Sequence, residues 1–411
     1  MAARPQAVKY LLVGGGLAAG QAAKQIREKG DLGSVCLVGD EPYVPYDRPP
    51  LTKEFMRGEK TADQLPFDPE SFYRDHGIEL RLGVAVQEMD AAARTVRLAD
   101  GDVIAYEKAL VATGGRPVRL KVPGADRPGV HYLRTRDDAS AIAADAVAGA
   151  RAVVVGAGFI GLELAASLTQ RGVKVSVVES APRIWPRFAD PTLAGFFHDY
   201  CTGKGIAFHT GEAVAEVRGQ GRPSAVVTAG GRELPCDFVC VGVGIVPNVE
   251  IARQAGLAVE DGVLVNEFLQ SSHPDVYAAG DVASYLDPVF GKRRRVEHWG
   301  HAEYSGQLAG RNMTGAREVY DLVTYVWSDV FDLHLEFAGD EREHERVLLR
   351  GTPESGAFTV LYLKGGALRA YFAVNGNADE FPALQQLIRS AMVLTGREAR
   401  LQDPAVPIST S

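Results

Sequence analysis

The stretch Tyr10-Leu-Leu-Val-Gly14-Gly15-Gly16-Leu17-Ala18-Ala19 decides how the chain is read. An apolar run of strand character meets three glycines, and an alanine-rich segment of helical character follows over residues 17–27. A junction of this kind is where a parallel strand turns sharply into a helix, so that backbone N–H groups face a pyrophosphate. Gly14 allows the tight turn, and Gly16 lets the backbone approach phosphate with no Cβ in the way. The third position of the pattern is Ala19, which the pattern tolerates. A single match carries little, because glycine-rich strand-to-helix turns also occur with no ligand.

The neighbouring sequence adds the missing parts. A second strand over residues 35–38 ends at Gly39-Asp40-Glu41, with Asp40 standing 26 residues after Gly14. An acid at that distance accepts hydrogen bonds from an adenosine ribose. The whole pattern then repeats as Ala152-Val-Val-Val-Gly156-Ala157-Gly158-Phe-Ile160-Gly161, followed by a helical run over 162–171 and a strand over 174–178 that ends at Glu179. Two complete fingerprints predict two dinucleotide sites. A carboxylate at Glu179 favours a ribose 2′-OH over a 2′-phosphate, although Arg183 is close in sequence.

Between the fingerprints, Pro42-Tyr-Val-Pro-Tyr-Asp-Arg48-Pro-Pro-Leu-Thr-Lys53 reads as a stiff extended loop, because proline fixes φ and disfavours helix. It would hold Arg48 and Lys53 in set positions near a nucleotide. Residues 82–86 are expected as a short strand, Asp100-Gly101 as a hairpin turn and 109–115 as a strand ending in glycines. Residues 116–126, rich in proline and glycine, read as a linker. Further strands are expected over 239–248 and 275–281, then a helix over 302–314. From residue 325 the pattern changes to strands and turns (324–329, 335–339, 346–350, 358–363, 368–374), a helix over 381–395 and a frayed polar end at 408–411.

The bulk properties set limits. A chain of 411 residues is too long for one ordinary core. Its 46% apolar and 23% charged content is that of a globular protein, and a net charge of −8 argues against general nucleic-acid binding. No apolar run approaches the ~18 residues of a membrane span, and the start is too short for a signal peptide, so the cytoplasm is expected. Cys36, Cys201, Cys236 and Cys240 include no Cys-x-x-Cys pair and read as buried small apolar residues. No metal site is expected.

The order of motifs resembles the glutathione-reductase-type flavoproteins, and within them the NADH-dependent ferredoxin and rubredoxin reductases. The resemblance rests on Pro45-Tyr-Asp-Arg-Pro-Pro-Leu-Thr-Lys53, Ala112-Thr-Gly114, Tyr132-Leu-Arg134-Thr, Val155-Gly-Ala-Gly-Phe-Ile-Gly-Leu-Glu163, Gly280-Asp281 and Trp327-Ser-Asp329. Residues 296–313 look closer to the apoptosis-inducing-factor branch, and monodehydroascorbate reductases are also similar. The fold class implied is α/β: two Rossmann-like dinucleotide-binding domains plus a small C-terminal α+β domain. The division expected is 1–115 with 245–320 for FAD, 116–244 for NAD and 321–411 for the C-terminal domain.

The resemblance also implies roles. FAD would be bound by Gly14, Gly16, Ala18, Asp40, Glu41, Arg48, Lys53, Val86, Thr113, Gly114, Arg134 and Asp281, with Glu297, His298, Trp299 and Trp327 around the isoalloxazine. NAD would be bound by Gly156, Gly158, Ile160, Gly161, Glu163, Glu179 and Gly244. Lys53 and Glu163 would form the catalytic pair. The implied activity takes hydride from NADH to FAD and passes electrons singly to a ferredoxin or rubredoxin serving a P450 or a Rieske oxygenase. Gly291-Lys-Arg-Arg-Arg295 offers a basic run for an acidic partner, or a solvated loop. Two rivals stand beside this reading: an NADH-responsive protein with slow turnover and redox-dependent dimerisation, and a quinone or monodehydroascorbate-like reductase or NADH oxidase. The chain is expected as a monomer or homodimer. Disulfide reduction needs a redox cysteine by the flavin, and neither the 42–53 loop nor the helix after Gly16 has one.

Overall fold

The computed structural model describes residues 6–188 and 190–410. The chain folds as two compact units, each discontinuous in sequence. One comprises Met1–Asp47, Asp63–Arg116 and Val246–Thr324; the other comprises Arg48–Ala62, Pro117–Ile245 and Tyr325–Ser411.

The first unit is built on a sheet whose parallel strands lie in the order Ile78–Leu82, Val35–Gly39, Gln6–Val13, Val103–Val111, Val276–Ala278. Val35–Gly39 and Val276–Ala278 are buried throughout, and Gln6–Val13 and Val103–Val111 over their last three residues, as befits strands covered on both faces. Leu11, Leu12, Ile104, Leu110 and Val276 are fully buried. Strand order reverses on either side of Gln6–Val13, so the Gly14–Gly16 turn opens at the topological switch point of the sheet. The helix Leu17–Glu28 buries Ala18, Ala19, Ala22, Ala23 and Ile26, and meets the helix Trp299–Met313 along a seam of small residues. A Cβ on Gly306 would lie 2.3 Å from the Ala18 carbonyl oxygen, and one on Gly310 would lie 2.6 Å from that of Ala22.

The second unit repeats the plan. Its parallel sheet runs Ala207–Thr210, Lys174–Glu179, Arg151–Val155, Phe238–Val241, Val130–Tyr132, and the second glycine turn again opens where the order reverses. The Tyr325–Ser411 segment forms a five-stranded antiparallel sheet in the order Tyr325–Val330, Leu333–Gly339, Ala367–Val374, Ala357–Lys364, Arg346–Thr352, with the helix Phe381–Ser390 against it. Phe337 and Phe372 of this sheet join Phe159, Trp185, Phe188 and Phe197 in one edge-to-face aromatic core.

Several local expectations change. Residues 82–86 are not one strand but the joint between Ile78–Leu82 and Val86–Asp90, opened by Gly83 at φ 73°. The helix expected to reach residue 395 stops at Ser390, because Ala391 takes a left-handed φ of 49°. Within the linker, Gly115–Pro117 pairs as a short strand with Ile245–Pro247. The polar end beyond residue 407 carries no regular structure, and Ser411 lies outside the described residues.

Candidate functional site

The two glycine turns share one wiring. Gly14 N–H donates to the Val38 carbonyl at 2.8 Å, as Gly156 N–H does to Val178. Ala112 N–H donates to Val13 at 2.8 Å, as Gly242 N–H does to Val155. Both first glycines have left-handed φ, 129° and 102°. A Cβ there would meet a backbone oxygen of the adjoining strand end, Ala112 at 2.2 Å and Gly242 at 2.4 Å. In the second turn Gly161 is required too, since its Cβ would lie 2.0 Å from the Gly156 oxygen.

The middle glycines are different. Gly16 and Gly158 are the N-caps of their helices, with extended backbone at φ −94° and −88° that any residue adopts. A Cβ on either meets nothing within 4 Å. Neither helix has a side-chain cap or an acid in its first turn. By contrast, Thr135 and Asp138 close a full capping box on Arg136–Asp145, and Asp190 caps Pro191–Gly203. Two uncapped N-termini with room at the cap leave several N–H groups and the positive helix end for an anion. This fits the pyrophosphates of two dinucleotides.

Within the first unit, Ala18, Thr113, Gly114 and Asp281 stand with the turn at the strand ends. Thr113 donates its hydroxyl to the Asn248 carbonyl at 2.7 Å, and Asn248 returns an amide to the Thr113 carbonyl at 2.9 Å. Gly280 N–H donates to Ser305 Oγ at 2.9 Å, which sets the start of the Gly280–Val282 turn carrying Asp281. Asp40 is exposed just past Val35–Gly39, whereas Tyr46 holds Glu41 by a 2.6 Å hydrogen bond. Trp299 donates its indole N–H to Asp47 at 2.8 Å, His298 is buried, and Glu297 pairs with Arg295 at 2.7 Å. Val86 is half-buried at the start of its strand.

Within the second unit, Arg48 donates to the Arg134 carbonyl. Lys53 and Glu163 are joined at 2.8 Å, with side-chain exposures of only 3% and 5%. The Lys53 ammonium lies 5.1 Å from the centroid of the Trp327 ring, a cation–π contact. A buried carboxylate needs more than one donor. Thr52 Oγ1 and Ser328 Oγ each stand 2.5 Å from Glu163, on Oε2 and Oε1 respectively. Four residues on from Glu163 along the helix Phe159–Gln170, Ser167 donates to the Thr52 carbonyl at 2.6 Å; a further four on, Arg171 donates to that of Met56 at 2.8 Å. One helix face thus grips residues 52–56.

Glu179 is buried and folds back on its own turn. Its Oε2 accepts from Ala157 N–H at 2.9 Å and its Oε1 from Ala181 N–H at 2.8 Å. Ile160 and Val243 are exposed apolar side chains flanking the turn, and Gly244 follows at φ 102°.

Sequence reasoning missed Thr52, Ser167, Ser328, Asp47 and the Gly306/Gly310 pair. The four-residue spacings Glu163/Ser167/Arg171 and Gly306/Gly310 were the available signals. It also placed a basic run at 291–295 that the fold largely consumes. Arg294 is fully buried against Asp287 at 2.8 Å, Arg295 pairs with Asp261 and Glu297, and Arg293 donates to the Val265 and Ser284 carbonyls.

All four cysteines are free and buried. Burial pushes the Cys36 and Cys201 thiols up to about 12 and Cys236 to about 11, with Cys240 higher still. No reactive thiolate exists among them.

Comparison with known proteins agrees with this geometry. Residues 8–306 match the model of the pyridine nucleotide-disulphide oxidoreductases, and residues 325–411 match that of the reductase C-terminal domain. The chain belongs to the pyridine nucleotide-disulphide oxidoreductase family. It is an oxidoreductase of the ferredoxin-reductase type, with FAD and NAD(H) as cofactors. Rhodocoxin reductase of Rhodococcus erythropolis is 35% identical over 95% of this chain and 92% of its own. Among solved structures, the ferredoxin reductase for the CYP199A2 system of Rhodopseudomonas palustris is 37% identical, with a TM-score of 0.87 over 90% of this chain and 92% of the other. The reductase in the covalent putidaredoxin reductase–putidaredoxin complex is 31% identical, with a TM-score of 0.93 over 98% and 97%. The family's name includes disulphide chemistry that this chain's buried thiols do not support.

Proposed function

We propose that this protein takes hydride from NADH and delivers electrons singly to a ferredoxin- or rubredoxin-type iron–sulfur protein that serves a P450 or Rieske oxygenase. The observation that carries the two-cofactor part is the pair of uncapped helix N-termini at Gly16 and Gly158, where no contact within the protein calls for glycine. The acceptor class is supported by the relatives, one of which serves the CYP199A2 system and another of which is joined to putidaredoxin. FAD, when bound, accepts two electrons as hydride and gives them up one at a time.

The chain's own residues bind and orient. The first turn, with Ala18, Asp40, Glu41, Val86, Thr113, Gly114, Asp281, Glu297, His298 and Trp299, holds FAD. Arg48, Lys53, Arg134 and Trp327 complete that set. Gly156, Gly158, Ile160, Gly161, Glu179 and Gly244 receive NADH, with the Glu179 carboxylate selecting a 2′-OH. The Lys53 ammonium, fixed by Glu163, supplies positive charge for the reduced cofactor. The division into 1–115 with 245–320, 116–244 and 321–411 belongs to this reading. So does the cytoplasm, where unpaired thiols stay reduced. No described helix is long and apolar enough to cross a membrane.

The test is stopped-flow mixing of the flavin-loaded protein with NADH, then with a panel of ferredoxins, rubredoxins, quinones and disulfides. Rapid bleaching followed by rapid reoxidation by an iron–sulfur protein is expected. Slow bleaching with a change in oligomer size, or preferential reoxidation by a quinone, would refute it.

A further inference from the structure

Ser328 is a polar residue in an apolar place. It lies on the strand Tyr325–Val330, fully buried, opposite Leu335 and two residues before the buried Val330. Alternation along a strand puts Ser328 and its neighbour Trp327 on opposite faces. The Ser328 hydroxyl donates to Glu163 Oε1 at 2.5 Å, across 165 residues of sequence. Oε2 of the same carboxylate faces Lys53 Nζ at 2.8 Å and the Thr52 hydroxyl at 2.5 Å.

The division of labour between the two oxygens matters. With Oε1 engaged by Ser328, the carboxylate presents a single oxygen to the ammonium. Lys53 is then held at one end of Glu163, within cation–π distance of Trp327. A charge-assisted hydrogen bond inside a dry site is strong, and a buried carboxylate oxygen deprived of its donor seeks another. Without the Ser328 hydroxyl two donors remain beside the carboxylate: the Thr52 hydroxyl, with one proton, and the Lys53 ammonium, with three and so able to serve both oxygens. The carboxylate would turn and share Lys53 between both oxygens, drawing Nζ off the indole.

We propose that Ser328 is a positioning residue for electron transfer: by fixing Glu163 Oε1, it sets where the Lys53 ammonium stands. One hydroxyl thereby ties together the three segments of the second unit, 48–62, 117–245 and 325–411. This rests on the reading that Lys53 and Glu163 act in the NADH reaction.

The experiment compares flavin-loaded Ser328→Ala and Ser328→Thr with the parent, with Lys53→Met and Glu163→Gln alongside. Stopped-flow reduction over a range of NADH concentrations separates the limiting rate from NADH affinity, and equilibrium titration gives the potential of the bound flavin. For Ser328→Ala the limiting rate should fall roughly tenfold, the scale expected when a reacting group is slightly misplaced. NADH affinity should stay within about twofold, since no contact to the nucleotide is removed. The potential should move to more negative values, because the ammonium supports the anionic reduced form less well. Ser328→Thr, which keeps the hydroxyl, should recover both. An unchanged limiting rate and potential in Ser328→Ala overturns the proposal, even if stability falls. If Lys53→Met and Glu163→Gln are also unimpaired, the reading beneath it fails instead. Should Ser328→Ala not retain flavin, Ser328→Cys, similar in size and a weak donor, takes its place with the same criteria.

Discussion

The turn at Gly14 and the turn at Gly156 make the same backbone hydrogen bonds, yet their acids are used in opposite ways. In the second turn Glu179 is buried and accepts the Ala157 N–H from the middle of the glycine run. In the first, Asp40 is exposed beyond the strand, and Glu41 is occupied by Tyr46. The second turn also has a third glycine that packing demands, where the first has the buried Ala19. The second turn therefore holds its acid within the protein, whereas the first leaves Asp40 at the surface.

The most damaging way to break this comparison is Gly14→Ala. Its Cβ would meet a carbonyl oxygen at 2.2 Å on a backbone with left-handed φ, a penalty on the order of 3 kcal/mol. Loss of bound flavin, read at its visible absorbance, and a lowered unfolding temperature are expected. Gly156→Ala meets the same obstacle at 2.4 Å. It should keep flavin while losing reduction by NADH, if the two turns serve the two cofactors as assigned.

Acid distinguishes the two regions next. His301, in the first unit, is fully buried beside the Tyr320 hydroxyl, and burial pushes its imidazole down from 6.5 to about 4. Above pH 6.5 the group is neutral in folded and unfolded chains alike. As the pH falls from 6.5 towards 4 only the unfolded chain takes up the proton, so stability is lost, by up to about 3 kcal/mol. Denaturant titrations at pH 7 and pH 4.5 measure this. His301→Gln should flatten that part of the difference.

Gly158→Ala sharpens the comparison without breaking the fold. No protein atom obstructs its Cβ, so the unfolding temperature and flavin content should hold while KM for NADH rises roughly tenfold. A tolerated Gly158→Ala with unchanged KM would remove the argument from the open helix cap. The smallest effect is expected from Glu179→Gln. The amide oxygen can accept only one of the two backbone N–H groups, Ala157 or Ala181, that the carboxylate holds, and the charge that repels a 2′-phosphate is gone. The kcat/KM preference for NADH over NADPH should narrow by roughly three- to tenfold, the range of a single lost discriminating contact.

Much of this was legible in the sequence because local spacing encodes it. Gly-x-Gly and the acid beyond the next strand mark each turn, since the chain must return to the same sheet edge after one helix. Glu163 and Lys53 were legible as a pair only through the motifs around them. Ser328 was not, because a hydroxyl that acts across 165 residues leaves no local period. Gly306 and Gly310 were visible as a four-residue repeat, but their meaning lay in Ala18 and Ala22, each 288 residues earlier in the chain. The basic run at 291–295 was legible as charge alone: the sequence does not tell that Arg294 is fully buried against Asp287 while Arg293 stays exposed.

The small-residue seam between Leu17–Glu28 and Trp299–Met313 has a consequence in time. The first helix of the chain has no slack on that side; two glycines bring a backbone against it, and nothing else fills the space. During synthesis this partner emerges 285 residues after Glu28, tens of seconds later at about 5–20 residues per second. The strand pairs Gln6–Val13 with Val35–Gly39 and Val103–Val111 can form long before then, leaving an alanine-rich helix face uncovered until Met313 is made. The first dinucleotide turn is therefore among the earliest parts of the protein to be translated and among the last to be finished.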